Sequence, residues 1–350
     1  MKKHYEKKEN KVLFLGNTYA TNEYYTGGAI VLAKELWEYL SKQDSIDITH
    51  KQLRNIWKAP WQIFDYIWWT IKAPFVFRKY DIISFHATQD FIFTTAPFVW
   101  LWAKLLGKQI NFHFFGTDFY KQRTKIHEWL IKNTILQSDH LFIETKYIIK
   151  KLGEDGFHNS IWLPNARKKL LEKWQKKEFE QKFVFISMVN HTKGIDEILQ
   201  IADKLPNSYI LDIYGPITAK DIDKSQLNKG KCRYLGILKS DEVPKVLQEY
   251  DVLVLPTHFT GEGYPGIIIE AFSVGKPVIS TKWRAIPEIL KPQKDSLMIT
   301  PKDSEELLEA ILHFNKENYP YFSKNAFDSF EQFDKENVFK KMLATLVAAK

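Results

Sequence analysis

Residues 255–277 read LPTHFTGEGYPGIIIEAFSVGKP. The apolar run VLVL over 252–255 leads into this segment and has the length and composition of a buried strand. A loop with Gly261, Gly263 and Gly266 follows, and residues 266–274 then have the apolar density of a short buried helix. Strand, glycine loop and helix in this order belong to a parallel α/β sheet, whose ligands bind beyond the carboxyl ends of strands. A helix starting near Gly266 points the amides of Gly266 and Ile267 outward at its positive end, which suits a phosphate. Two glutamates bracket the turn, Glu262 in the loop and Glu270 one turn into the helix. A carboxylate is a poor phosphate ligand and a good acceptor for sugar hydroxyls. The combination points to a nucleotide sugar, with one glutamate on the ribose and one on the donor sugar. The competing reading is a surface glutamate plus one favoured by the dipole at a helix start.

The same alternation runs through the whole chain. Strand patterns fall at 11–16 (KVLFLG), 81–85, 109–114, 140–144 and 160–163, with a helical pattern at 27–40. Pro164-Asn165-Ala166 and a charged stretch to 182 read as a linker. A second series begins at 183–187 and continues through a helix at 195–205 and strands at 209–214 and 234–235. A helix at 243–249, the segment quoted first and a strand at 277–280 follow. Two blocks of alternating strands and helices predict α/β architecture with two parallel sheets. Residues 321–350 read as an amphipathic helical tail.

A chain of 350 residues accommodates two such domains. Cys232 is the only cysteine, which excludes a disulfide framework and a cysteine metal site. No HxxxH or HExxH spacing occurs among the histidines, so no metal site is expected. The longest uncharged run, 91–103, is shorter than the ~20 residues a spanning helix needs. The basic start lacks a signal-peptide core, and the expectation is a cytoplasmic protein. Residues 1–180 hold 28 Lys+Arg against 19 Asp+Glu (+9), and residues 181–350 hold 22 against 23 (−1). That imbalance fits either an anionic partner for the first half or a solvated basic surface. Residues 57–80, WKAPWQIFDYIWWTIKAPFVFRKY, mix aromatic and basic side chains. They read either as an interfacial segment on an anionic membrane surface or as a helix wedged under the first sheet.

Several features of this sequence have parallels in one family. Glu262-x7-Glu270 within EGYPGIIIEAFSVGKPVI resembles the EX7E motif of the retaining GT-B glycosyltransferases of family 4, the glycosyl transferases group 1. Gly27-Gly28 resembles the family's acceptor-side glycine loop, Pro164-Asn165 its domain linker, and Lys193-Gly194 its KG element. Gly215 and Gly236 resemble its nucleotide-base loops, and the segment 112–118 (FHFFGTD) resembles its HG(S/T)D segment with Phe115 where histidine is usual.

The resemblance implies a GT-B fold of two Rossmann-like domains facing across a cleft. The acceptor domain would comprise residues 1–165 with the tail helix at 336–350, and the donor domain residues 166–335. It implies that Glu262 lies by the donor sugar, that Glu270 accepts from the ribose, and that the Gly266 and Ile267 amides bind phosphate. Lys193 would neutralise the diphosphate, with Gly215, Gly236 and Gly263 also lining the donor site. Asp118 and His113 are expected as catalytic residues on the other side, with His86, Gly27 and Gly28 facing the acceptor. The family's Gly-Arg before the KG lysine is Ser187-Met188 here, so one diphosphate cation is missing, for which Arg167 or His191 could substitute. The family's glycine three residues after the first glutamate is Pro265, with Gly266 one position later.

The implied function is retaining transfer of a sugar from a nucleoside-diphosphate donor, expected to be a UDP-sugar. The acceptor would be a glycan or lipid-linked sugar in polysaccharide or glycolipid assembly, with neither metal nor cofactor. Alternatives are a GT-B epimerase or phosphorylase. A non-enzymatic nucleic-acid-binding protein is the other rival, but no nucleic-acid module is visible and nucleic acid is not an expected partner.

Overall fold

The computed structural model describes residues 9–18, 28–53, 62–87, 91, 94–115 and 124–348. It divides into two compact units, residues 1–164 with 338–350, and residues 165–337.

The first unit contains β1 (Asn10–Gly16), α1 (Gly28–Leu40), β2 (Ile46–Gln52), α2 (Gln62–Phe77), β3 (Ile82–Ala87), α3 (Ala96–Leu105), β4 (Gln109–Phe114), α4 (Lys125–Asn133), β5 (His140–Ile143), α5 (Lys146–Glu154) and β6 (Ser160–Trp162). Its strands form one parallel sheet in the order β2-β1-β3-β4-β5-β6. Both faces of the central strands are covered, so β1 and β4 read as continuous apolar runs rather than alternations. One core joins Leu13, Leu15, Ile83, Phe85, Ile110 and Phe112 of the sheet to Phe77 of α2, Val99 of α3 and Leu152 of α5.

The second unit contains β7 (Lys182–Ile186), α6 (Ile195–Ile201), β8 (Ile210–Tyr214), α7 (Lys224–Leu227), β9 (Cys232–Gly236), α8 (Val243–Glu249), β10 (Val252–Leu255), α9 (Gly266–Ser273), β11 (Val278–Thr281), β12 (Ser296–Ile299), α10 (Ser304–His313) and α11 (Tyr319–Ser329). Its parallel sheet runs β12-β11-β10-β7-β8-β9. The fold class is therefore α/β with two parallel six-stranded sheets.

The helix expected at 195–205 stops at Ile201. The tail is two helices joined by a 3-10 turn at Phe330–Phe333, the second being α12 (Lys335–Val347). The chain enters and leaves the second unit side by side: the Arg167 amide donates to the Phe333 carbonyl at 3.0 Å, and the Lys335 amide donates to the Arg167 carbonyl at 3.0 Å. Beyond that point α12 packs on the first unit, where Asn10 Nδ2 donates to the Leu346 carbonyl at 2.8 Å and Tyr39 meets Phe339.

Candidate functional site

In the second unit the direction of winding reverses between the neighbouring strands β7 and β10. Loops leaving the carboxyl ends of two such strands part from each other, and the crevice between them is where open α/β sheets bind ligands. The β7 loop carries Lys193 and the β10 loop carries Glu262. Asn190 caps the turn His191–Lys193, its Oδ1 accepting the Lys193 amide at 3.1 Å. Gly194 then adopts φ +86°, and a β-carbon there would collide with the Pro256 carbonyl. Glycine is required on both counts. The two loops are laced together: the His258 amide donates to the Thr192 carbonyl at 2.8 Å, and Thr257 Oγ1 lies 3.2 Å from the same carbonyl.

This lacing sets Lys193 Nζ 2.6 Å from Glu262 Oε2, and the same oxygen accepts from Thr257 Oγ1 at 2.7 Å. Both charged side chains are more than nine-tenths buried. Removing either partner would leave a charge uncompensated in a poorly solvated place. A polyanion entering the crevice would compete with Glu262 for the ammonium.

A second charged pair lies at the start of α9. Pro265 precedes the helix without a side-chain cap, and the first turn holds no acidic residue. Arg167, in the linker, donates from Nε to Glu270 Oε1 at 2.6 Å. Its Nη1 donates to Asn165 Oδ1 at 2.6 Å and to the Ala166 carbonyl at 2.8 Å. Asn165 Nδ2 in turn donates to the Tyr264 carbonyl at 3.1 Å, fixing the linker to the β10 loop. A β-carbon at Gly266 would collide with Arg167 Nη2, so the glycine admits the guanidinium to the helix N-terminus. Gly266 and Ile267 themselves are half-buried.

The other donor-side residues surround the same strand ends. Gly215 leaves β8 with its amide donating to the Gly236 carbonyl at 2.8 Å, and its α-carbon lies against the Ser187 carbonyl with no room for a side chain. Gly263 links Glu262 to Tyr264 and is half-buried, while Met188 is 44% exposed. His191 is held between Asp196 (2.7 Å) and Asp221 (3.0 Å). Its hydrogen bond to Asp221, then that to Asp196, raises its pKa above the ordinary histidine value.

The remaining predicted residues belong to the first unit. His86 and His113 occupy paired positions near the carboxyl ends of β3 and β4. Their Nδ1 atoms face each other at 3.2 Å, and His86 Nε2 lies 3.0 Å from Ser84 Oγ. Phe14 stacks on His86 at 3.8 Å. Burial first, then His113 and His50, hold the His86 pKa well below its ordinary value, and burial lowers that of His113 to about 3. Both rings are neutral at physiological pH, and one facing Nδ1 carries the proton. Among the described residues, His113 Nε2 is buried without a hydrogen-bond partner. Gly28 begins α1, whereas Gly27 and Asp118 lie outside the described residues.

Sequence reasoning did not foresee three participants. Thr257 and Asn190 have no spacing that marks them. His50, whose Nε2 lies 3.0 Å from the Gly16 carbonyl, joins the histidine group only once β2 is known to pair with β1. Among the described residues no cluster of three or more His, Cys, Asp or Glu could hold a metal ion, and no helix is long and apolar enough to cross a membrane.

Residues 166–328 match the family model described as Glycosyl transferases group 1. An uncharacterized 41.2 kDa protein in the cps region of Klebsiella pneumoniae is 22% identical, over 72% of this chain and 76% of its own length. The N,N'-diacetylbacillosaminyl-diphospho-undecaprenol alpha-1,3-N-acetylgalactosaminyltransferase of Campylobacter jejuni is 26% identical over 52% of this chain, which spans about half (49%) of that relative. The crystal structure of HepE of Anabaena in complex with UDP superposes with a TM-score of 0.73 at 14% identity, covering 96% of this chain and 99% of that one. The chain has the GT-B fold.

Proposed function

We propose that this chain is a retaining glycosyltransferase that moves a sugar from a UDP-sugar to a glycan or lipid-linked acceptor in surface polysaccharide or glycolipid assembly. The observation that carries the reading is the pair of glutamates in the second unit, each met by a cation: Lys193 on Glu262 and Arg167 on Glu270. Glu270 accepts from the ribose hydroxyls through the carboxylate oxygen that Arg167 Nε does not engage. The Gly266 and Ile267 amides receive phosphate at the positive end of α9. Lys193 leaves Glu262 for the diphosphate, and Glu262 turns to the hydroxyls of the donor sugar. Charge grows on the diphosphate as the glycosidic bond breaks, and a cation and oriented amides stabilise that charge most in the transition state. These groups cover the phosphates with protein atoms, which is the basis for proposing that no metal is needed. The acceptor hydroxyl attacks from the face the diphosphate leaves and passes its proton to the departing diphosphate oxygen, giving retention without the paired carboxylates of a hydrolase.

A thermal-shift panel of UDP-, GDP- and ADP-sugars tests the donor. At a hundred times its Kd a ligand stabilises by about 2.7 kcal/mol. UDP-sugars are expected to raise the melting temperature, and a flat response to every nucleotide sugar would remove the reading. Proton NMR of the product linkage then tests retention.

A specific surface supports a lipid-linked acceptor at the cytoplasmic face of a membrane. On α2, Phe64, Ile67, Trp68, Ile71 and Phe75 form an exposed stripe at helical spacing, while Ala73 and Phe77 are buried on the inner side. The neighbouring α3 exposes Phe98, Leu101 and Leu105. Lys72 Nζ sits 3.8 Å over the Trp68 ring, and Arg78 and Lys79 follow directly after α2. An apolar face with basic neighbours suits shallow insertion among anionic headgroups.

A further inference from the structure

Met188 leaves the proposed diphosphate site with one lysine where two cations are expected. His191, close by in sequence, is committed to two carboxylates, Asp196 and Asp221. Arg167 is differently placed. Arg167 is nine-tenths buried, and its guanidinium lies at the start of α9, in the space that the missing side chain of Gly266 leaves open. Nε and Nη1 are taken by Glu270, Asn165 and the Ala166 carbonyl, whereas Nη2 makes no hydrogen bond among the described residues. A cation at the N-terminus of a helix meets the positive end of the dipole, and here no acidic residue of the first turn offsets it. An anion bound at that point would satisfy the free edge of the guanidinium, the first-turn amides and the dipole together.

We propose that Arg167 is the second diphosphate-binding cation of this protein, recruited from the linker in place of an arginine at position 188. The proposal deepens the donor-site reading above and rests on it. One guanidinium would then serve both ends of the nucleotide. Nε orients Glu270 towards the ribose, and Nη2 contacts a phosphate oxygen that accepts its N–H. Arginine suits this division because its donors lie in a fixed planar fork, so one edge can be held by protein while the other faces a ligand. The alternative is a peg that acts on the nucleotide only by holding Glu270.

Calorimetric titration of the full chain with UDP and with uridine separates the two roles, because uridine has the ribose without phosphate. Wild type is expected to bind UDP more tightly than uridine. In Arg167→Gln, uridine should weaken through the loss of Glu270 orientation, and UDP should weaken at least tenfold more than uridine does. Arg167→Lys keeps the charge but cannot address both partners, so UDP should weaken severalfold more than uridine. This second variant carries the test should the neutral one fail to fold by tryptophan emission. Equal weakening of UDP and uridine would reduce Arg167 to the peg, and unchanged UDP affinity in the folded variants would remove it from the phosphate. If wild type binds neither ligand, the donor-site reading falls and the proposal with it.

Discussion

Acidification should weaken the first unit through its buried histidines, and the size of the effect follows from His113. Its pKa is about 3 in the folded chain because burial disfavours the imidazolium, against an ordinary value near 6.5. Below pH 6.5 the unfolded chain takes up a proton there while the native state does not. Stability therefore falls as pH drops from 6.5, and continues to fall until the native ring titrates. Each proton of difference is worth about 1.4 kcal/mol per pH unit, so His113 alone costs about 2 kcal/mol between pH 6.5 and 5. His86, also held neutral, acts in the same direction. Urea unfolding followed by tryptophan emission from pH 7.5 to 5 reads this out, since nine of the eleven tryptophans fall within residues 1–164. Substituting His113→Phe replaces the ring by one that never binds a proton. The variant should lose about 1.4 kcal/mol per pH unit of slope relative to wild type over pH 6–5. Its absolute stability can shift either way without affecting the comparison. Parallel curves for the two proteins would refute the argument, because His113 would then titrate alike in both states.

Lys193→Ala should lower kcat by about a hundredfold, more than it weakens donor affinity, because the lysine acts most as the diphosphate departs; steady-state kinetics with near-normal kcat would assign that role elsewhere. Glu270→Ala should cost about 1–3 kcal/mol of nucleoside affinity by calorimetry, through loss of an acceptor for the ribose, and unchanged uridine binding would exclude the contact. Wild type should bind anionic liposomes with a salt-resistant component that Trp68→Ser with Ile71→Ser diminishes without lowering Tm. Neglect of anionic liposomes at low salt would remove the membrane surface.

Much of this architecture is legible in sequence where one physical signal dominates. The VLVL run of β10 is buried on every residue and stands out without alternation. The linker shows through Pro164-Asn165, and EX7E keeps its spacing because both glutamates lie on one loop-helix unit. The edge strands are quieter. β2 reads IDITHKQ and has a sheet neighbour on one side, so its pattern lacks the apolar density of the centre, whereas β12, SLMI, is apolar but only four residues long. Partnerships between distant segments are silent for a different reason. Arg167 and Glu270 are 103 positions apart, and only the folded linker brings them together. His86 and His113 likewise become a pair through sheet order and register. The outward face of α2 escapes periodicity analysis because apolar residues occupy both sides of the helix, and packing alone separates Phe77 from Phe75.

The side-by-side entry and exit of the second unit bear on how the molecule is made. Ribosomes release the six strands of the first sheet well before α12, whose Leu346 carbonyl accepts from the Asn10 side chain at the start of β1. At ~5–20 residues per second, the delay between the end of the first block and the arrival of that helix is roughly 10–35 s. During that interval residues 165–337 emerge and can collapse on their own core, because the Arg167–Phe333 and Lys335–Arg167 hydrogen bonds close them into a loop with adjoining ends. The first-made strand of this sheet is thus the one finished last, and translation halted before residue 338 would yield a complete second unit attached to an unsealed first one.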